Sequence, residues 1–339
     1  MSNQRRNTGY YWLVLALTTF AVISAAYLYL TGPGGDSGVT EPVRADTIVP
    51  YNSAREGSEV EPQIFFYPLS PAPGDFLIVE AGPLPQGEDF EIDFDFFGVL
   101  SDYYHVGNLL FAVIAVNWDI NPGTYKVAVV PVQENATAKG AALAEGQVEI
   151  AAKEFKFSRF SMPADRTAGW TAARLAEDRE KVRIARETTE PHPLWVQTFI
   201  PPLEGRISSE YAAIRVINNN PPRRHAGIDI AVDEGTPVIA PNRGIVRLAE
   251  FLLSGGNSVI IDHGMDLSST YLHLHTINVE VGDIVERGDL IGTVGMTGYA
   301  TGNHLHWEVN IGQTPVNPGQ LMANELLWIP PAYQKDYLW

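Results

Sequence analysis

Five of the eight histidines in this 339-residue chain lie in three short motifs of its last third. "HAGID" supplies His225 and Asp229, "YLHLH" supplies His273 and His275, and "NHLHWEV" supplies His304 and His306. Successive side chains of a β-strand alternate faces, so His304 and His306 project from one face about 7 Å apart along the chain. They can therefore serve one site. The chain has no cysteine, so any metal must be held by His, Asp or Glu. Zinc takes four tetrahedral ligands at about 2 Å for N and O, and a catalytic site keeps one position for water, so three protein ligands suffice. In a straight strand His225 and Asp229 stand about 13 Å apart, too far to share an ion. A bend at Gly227 brings them together, and glycine is the residue that permits one.

The elements that must position these residues are strands. From about 199 the chain is β-like, with glycine at short intervals, and "DEGTPVIAPNRGIVRLAE" (233–250) and "VEVGDIVERGDLIGTVGMTG" (279–298) read as two versions of one Gly-bounded hairpin, a pseudo-repeat. Glycines there supply the positive φ of tight turns. Residues 58–152 carry many short strands separated by turn signals, including "QIFFYPL", "FLIVEAG" and "NLLFAVIAVN", the pattern of a β-sandwich. In "FEIDFDFF" the apolar Phe90, Ile92, Phe94 and Phe96 alternate with Glu91, Asp93 and Asp95; this is a half-buried strand with a solvated acidic face rather than a carboxylate metal site. Between them, 153–198 is a linker containing an exposed helix over about 167–189, dense in Ala, Arg, Glu and Lys and stopped by Pro191 and Pro193.

The motifs "HAGID", "YLHL" and "GDIVERGDLIGTVGMTGYATGNHLHWEV" resemble the lysostaphin/LytM-type zinc metallopeptidases over about 200–322, and the region 60–165, ending in "FKFSRF", is similar to the β-rich domain that precedes this peptidase in many members. The resemblance implies a mainly β protein, with a sandwich-like N-terminal domain and a C-terminal β-barrel-sandwich (LytM-like, duplicated hybrid motif) peptidase domain over 199–325. It implies zinc held by His225, Asp229 and His306, with His273 and His304 as the catalytic pair beside it. Zinc lowers the pKa of bound water from 15.7 toward about 7 and polarises a carbonyl, while imidazoles move protons near neutral pH. Glu308, two residues past His306 on the same face, is placed to orient a histidine. His263, in "IDHG", matches a turn position that is not a ligand; His105, His192 and His275 read as ordinary polar residues, and Tyr271 as a core aromatic in preference to the alternative of a substrate contact. The chain departs from the family's "S-x-F-G-x-R" segment, having "SSEYAAIRVINNNPPRRHAGID" with Tyr211 and Ala212 in the Phe-Gly positions and an inserted-looking "VINNNPP". That loop bears on substrate preference.

Charge and composition narrow the function. Forty acidic against 23 basic residues, net −17, argue against nucleic acid, which needs clustered Lys and Arg. "VGDIVERGDLIGTVG" also resembles biotinyl and lipoyl carrier domains, but these attach their cofactor to a hairpin lysine, and none occurs between Lys181 and Lys335. "NAT" (135–137) fits a glycosylation sequon and is read as chance. Residues 1–9 carry Arg5 and Arg6 and no acid, and 10–30 are 21 uncharged residues with Tyr10, Tyr11, Trp12, Tyr27 and Tyr29 at the two ends. As a helix the run reaches roughly 32 Å, enough to cross a bilayer core of about 30 Å. It exceeds the ~7–15 residues of a signal-peptide core, so an uncleaved anchor is expected, although "SAA" (24–26) would suit cleavage. The basic end stays in the cytoplasm and everything past Leu30 lies outside, beginning with a Gly- and Pro-rich tether (31–57) and ending in a tail (326–339). The expected function is a membrane-anchored zinc endopeptidase acting on peptidoglycan peptides. The alternative is a non-catalytic wall-binding or regulatory protein of the same fold, and relatives of that kind have lost one or more of the five residues that this chain keeps.

Overall fold

The computed structural model of the protein describes residues 61–322 apart from 97, 102, 133–139, 162–166, 168, 196, 197 and 219. The apolar run at 10–30, the tether, the C-terminal tail and the "NAT" triplet lie outside the described residues. Among those described, no helix is long and apolar enough to cross a membrane.

The short apolar runs of the first half become β1 (Gln63–Tyr67), β2 (Phe76–Gly82), β3 (Phe90–Phe94), β4 (Gly98–Leu100), β5 (Tyr104–Val106), β6 (Leu109–Val116), β7 (Gly123–Pro131) and β8 (Ala144–Ile150). They form two antiparallel sheets, β1-β2-β6-β4 with β5 also on β6, and β3-β7-β8. Leu77, Val79, Leu110, Ala112 and Ile114 of the first sheet meet Phe90, Ile92, Val127, Val129 and Val148 of the second, the inner faces of a sandwich. Glu91 and Asp93 take the opposite, more accessible face of β3, as the alternation requires. Strand β6 is apolar at every position because it is covered on both sides: Val113 and Ala115 belong to the core of the C-terminal part. Polar clamps hold this junction. Gln320 exchanges two hydrogen bonds with the Phe76 backbone, accepting at 2.7 Å and donating at 3.0 Å, and the Asn317 amide donates to Asp75 at 2.8 Å.

The second half contributes β9 (Phe157–Phe160), α1 (Ala172–Glu187), β10 (Arg206–Ser209), β11 (Ile214–Ile217), β12 (Arg223–Arg224), β13 (Ile228–Ala231), β14 (Pro237–Ile239), β15 (Gly244–Leu252), β16 (Gly256–Asp262), β17 (Leu267–Ile277), β18 (Ile284–Val285), β19 (Leu290–Val294), β20 (Leu305–Ile311), β21 (Thr314–Val316) and the single turn α2 (Gly319–Met322). The main sheet runs β10-β13-β20-β17-β16-β15-β18, with β19 joining β17 to β14 and β21 on β20. Trp307, Leu305, Val309, Tyr271, Val259 and Ile261 fill the inside. The two Gly-bounded hairpins interlock: β15 pairs β18 and β14 pairs β19. Their turns use the same hydrogen-bond scheme, Gly235 N donating to Val294 O while Val294 N donates to Thr236 O, and Gly282 N donating to Val246 O while Val246 N donates to Asp283 O. Gly235 and Gly282 sit at φ +86° and +97°, where a side chain would be strained.

Helix α1 begins five residues later than the sequence pattern predicts. Gly169 at φ +79° breaks the chain direction, and Thr171, in an extended conformation, caps the helix by accepting from Arg174 N at 3.2 Å. Only Ala185 is fully buried, and it packs with Val182 on Leu248, Leu252 and Ile260 of the sheet.

His263 belongs to this framework. Its Nδ1–H donates to Arg243 O at 2.9 Å, so Nε2 accepts from Ser269 Oγ at 2.8 Å, and Ser269 accepts in turn from the Tyr271 hydroxyl at 2.8 Å. Burial pushes the imidazole down from 6.5 to about 4. Between those values the unfolded chain holds the extra proton, so stability rises with pH across the window and is lost as pH falls through it. We expect wild-type unfolding midpoints to drop between pH 6.5 and 4, this group contributing at most about 1.4 kcal/mol per pH unit. The slope should be shallower in His263→Asn, and equal slopes would refute the assignment.

Candidate metal centre

Three acceptor atoms from two sequence motifs meet on the outer face of the main sheet. His225 Nε2 lies 3.0 Å from Asp229 Oδ1 and 2.9 Å from His306 Nδ1, and His306 Nδ1 lies 2.8 Å from Asp229 Oδ1. Register delivers them: on β13 and β20 Asp229 pairs with His306, and His306 pairs with Leu272 of β17. His225 reaches them across the bend at 226–227. The bend expected at Gly227 is present, and close approach is what requires glycine there: a Cβ would stand 2.2 Å from Trp307 O.

The other ring nitrogens settle which atoms carry lone pairs. His225 Nδ1 is 2.8 Å from the Glu210 carbonyl, which can only accept, so Nδ1 is the protonated atom and Nε2 faces the site bare. His306 Nε2 donates to Glu308 Oε1 at 2.9 Å, so Nδ1 is the atom turned to the site. Two imidazole nitrogens and a carboxylate oxygen thus converge on one point, where either a shared proton or a cation satisfies them. Electrostatics express the same demand for a cation. Burial alone would lower His306, but hydrogen bonds to Asp229 and Glu308 raise it to about 9. Burial alone would raise Asp229, but its contacts with His225 and His306 hold it well below the usual carboxylate range. The separations are close to the roughly 3.3 Å edge of a tetrahedron built with bonds of about 2.0 Å, and His225, Asp229 and His306 form the metal-capable cluster found among the described residues.

His273 and His304 flank this triangle, their rings 4.8 Å apart and the His273 ring 6.0 Å from that of His306. Strict alternation along β17 would send His273 into the core with Tyr271. A bulge prevents it: the β16 register shifts between Asn257 and Val259, and β17 leaves β20 after Leu272 and joins β19 from Leu274. At this corner His273 adopts φ +65°, a strained value for a residue with a side chain, held by its N–H on Gly255 O at 2.7 Å and Nδ1–H on Thr297 O at 2.8 Å. Burial, then the neighbouring His306 and His304, push it down to about 3. His304 does not lie within β20: it forms an isolated bridge to Gly295, its Nδ1–H donates to Gly302 O at 2.8 Å, and Nε2 is 3.7 Å from Asp229 Oδ1. Both residues therefore present bare Nε2 atoms.

Outside the triangle each carboxylate is divided between a histidine and an arginine. Asp229 Oδ2 receives Arg215 at 2.5 Å. Glu308 Oε2 receives Arg186, from the last turn of α1, at 2.5 Å. Sequence reasoning had Glu308 but neither arginine; nothing in a helix reading marks one arginine among several. The remaining histidines stand apart: His275 is exposed near Glu234, His105 is exposed on the sandwich and His192 precedes the main sheet. Tyr211 and Ala212 lie in the core, Ala212 at φ +57° where the resemblance places glycine. The "VINNNPP" segment joins β11 to β12, and β9 of the linker adds to β11 in parallel.

Residues 223–318 match the model of peptidase family M23, and this part of the chain is an M23 peptidase domain. A solved structure from Pseudomonas aeruginosa, described as a peptidase M23, is 25% identical and covers 76% of this chain and 96% of its own, with a TM-score of 0.52, so its likeness includes the sandwich. The peptidoglycan DD-endopeptidase ShyA of Vibrio cholerae is 40% identical over 113 residues, 30% of this chain and 26% of its own. The DD-carboxypeptidase/endopeptidase Mpg of Neisseria meningitidis is 42% identical over 96 residues, 28% of this chain and 22% of its own. The chain thus spans about a quarter of the length of these two curated relatives.

The geometry makes Gly227 a structural determinant of the site. Gly227→Ala should cost about 2–3 kcal/mol in denaturant unfolding, as overpacking does, and should abolish stoichiometric zinc uptake by separating His225 from Asp229. Full stability with full uptake would show that the Trp307 backbone can move aside.

Proposed function

We propose that this protein is a zinc-dependent endopeptidase that hydrolyses peptide bonds in peptidoglycan stems or cross-bridges, anchored in the cell membrane by residues 10–30 with its folded parts outside the cytoplasm. The observation that carries the reading is the convergence of His225 Nε2, Asp229 Oδ1 and His306 Nδ1 within 3.0 Å, three acceptors that a divalent cation would satisfy. Support for the substrate class comes from the M23 match and from a relative named as a peptidoglycan DD-endopeptidase. The match covers only about a quarter of each of the two curated relatives, so the bond cut is part of the proposal.

In this reading His225, Asp229 and His306 hold the ion. When bound, zinc supplies a Lewis acid that lowers the pKa of water toward about 7 and polarises a carbonyl. The protein's own atoms do the rest. The fixed tautomers of His273 and His304 leave each Nε2 free to take a proton from the attacking water. Once protonated, either ring can donate to the oxyanion of the tetrahedral intermediate or pass the proton to the departing amine. His273 is kept neutral by its buried corner, which suits it to receive the first proton; His304, beside Asp229, suits the second role. The arrangement makes two histidines dispensable for metal and indispensable for turnover.

The test is release of new amino termini from purified peptidoglycan by the full-length protein, before chelation, after it, and after zinc is restored. Release should stop and return. Asp229→Ala and His306→Ala should lose both metal and activity, whereas His273→Ala and His304→Ala should keep most of the metal and lose at least about 100-fold in rate, the scale of a lost general base or acid. Zinc-loaded protein that releases nothing from walls of several chemotypes would turn the reading toward the non-catalytic, regulatory alternative.

A further inference from the structure

We infer that the linker helix is part of the metal centre, with Arg186 acting as a positioning residue for the ligand His306. This rests on the metal reading above and extends it to a residue outside the M23-matched segment. The Arg186 side chain is 12% exposed and its partner Glu308 11%. One of its nitrogens, Nη2, bonds both Glu308 Oε2 at 2.5 Å and Thr270 Oγ1 at 3.2 Å, while Nε is buried with no partner. A buried guanidinium that leaves a donor unused is poorly accounted for by surface solubility or helix propensity; its position is dictated by Glu308.

The chain of contacts is then continuous. Arg186 holds Oε2, which turns Oε1 toward His306 Nε2, and that bond fixes the tautomer and ring plane that point Nδ1 at His225 and Asp229. Such outer partners of a ligating histidine commonly change metal affinity by about 10–100-fold when removed. Without the guanidinium, Glu308 is a buried carboxylate facing one histidine, free to rotate and to draw His306 off the triangle.

The helix is seated accurately enough for this role. Ala185 and Val182 pack on Leu248, Leu252 and Ile260. Asp178 accepts from Leu253 N at 2.7 Å, Lys181 pairs with Glu250 at 2.7 Å, and Gln313 donates to Arg183 O at 3.0 Å. These contacts tie α1 to the end of β15 and to the turn that follows Glu308's own strand, β20. Lysine could supply the charge at that position but not the planar fork.

The decisive experiment is a double-mutant cycle on the full chain, reading zinc dissociation constants by chelator competition and unfolding midpoints in the presence of chelator. Arg186→Met should weaken zinc by about 10–100-fold, and Arg186→Lys by less. In a Glu308→Gln background, where no charge needs steering, Arg186→Met should change the affinity less than about twofold. A merely structural arginine would lower the unfolding midpoint and leave the zinc constant alone, and Arg186→Lys keeps the question answerable if the methionine variant fails to fold. Unchanged affinity in the folded variants, or an equal loss in both backgrounds, overturns the inference while the metal reading stands. A wild-type protein that takes up no zinc overturns both.

Discussion

Everything specific about this protein depends on holding three hydrogen-bond acceptors within 3.0 Å of one another in a place where they cannot be solvated separately. Lone pairs at that distance repel, and burial makes each harder to satisfy. The sheet imposes the arrangement by backbone register, pairing Asp229 with His306, and a ring of further groups fixes the orientation of each of the three side chains. Glu210 O sets His225, Glu308 sets His306, and Arg215 takes the second oxygen of Asp229. The two arginines balance carboxylates that the histidines only partly neutralise. The fold supplies the stability that keeps this site assembled.

That stability comes from the opposite side of the same strands. Trp307 and Tyr271 are fully buried one residue away from His306 and Leu272, so period-two alternation couples core and site: any slip of register that misplaced a ligand would also expose a large aromatic. The interlocked hairpins and the His263–Ser269–Tyr271 chain brace the far side of this core. The sandwich adds to it by burying the second face of β6 against the same cluster.

The linker has a similar double role. Its strand β9 extends the β11–β12 hairpin, and its helix crosses the sheet to reach Glu308. Trp170, just before the helix cap, meets Tyr299 with ring centroids 5.5 Å apart, in the loop that leads to His304. The peptidase part is therefore finished by chain that precedes it.

Much of this was legible without coordinates. Strand alternation over Phe90–Phe94, the Gly-bounded repeat and the motif spacing of the histidines are local properties, set by backbone periodicity and turn chemistry, and the structure follows them. The proximity of His225 to Asp229 was also readable, because a bend was the only way two ligands four residues apart in extended chain could meet. What tertiary structure alone decided are the features that local rules contradict or ignore. Alternation would have placed His273 in the core, and only a bulge where β17 changes partners turns it to the site. A helix of exposed charges gives no sign that one arginine, Arg186, is buried against a carboxylate 122 residues away. The physical reason is the same in both cases: periodicity fixes which side of an element a residue takes, but which partner waits on that side depends on how distant strands and helices are packed.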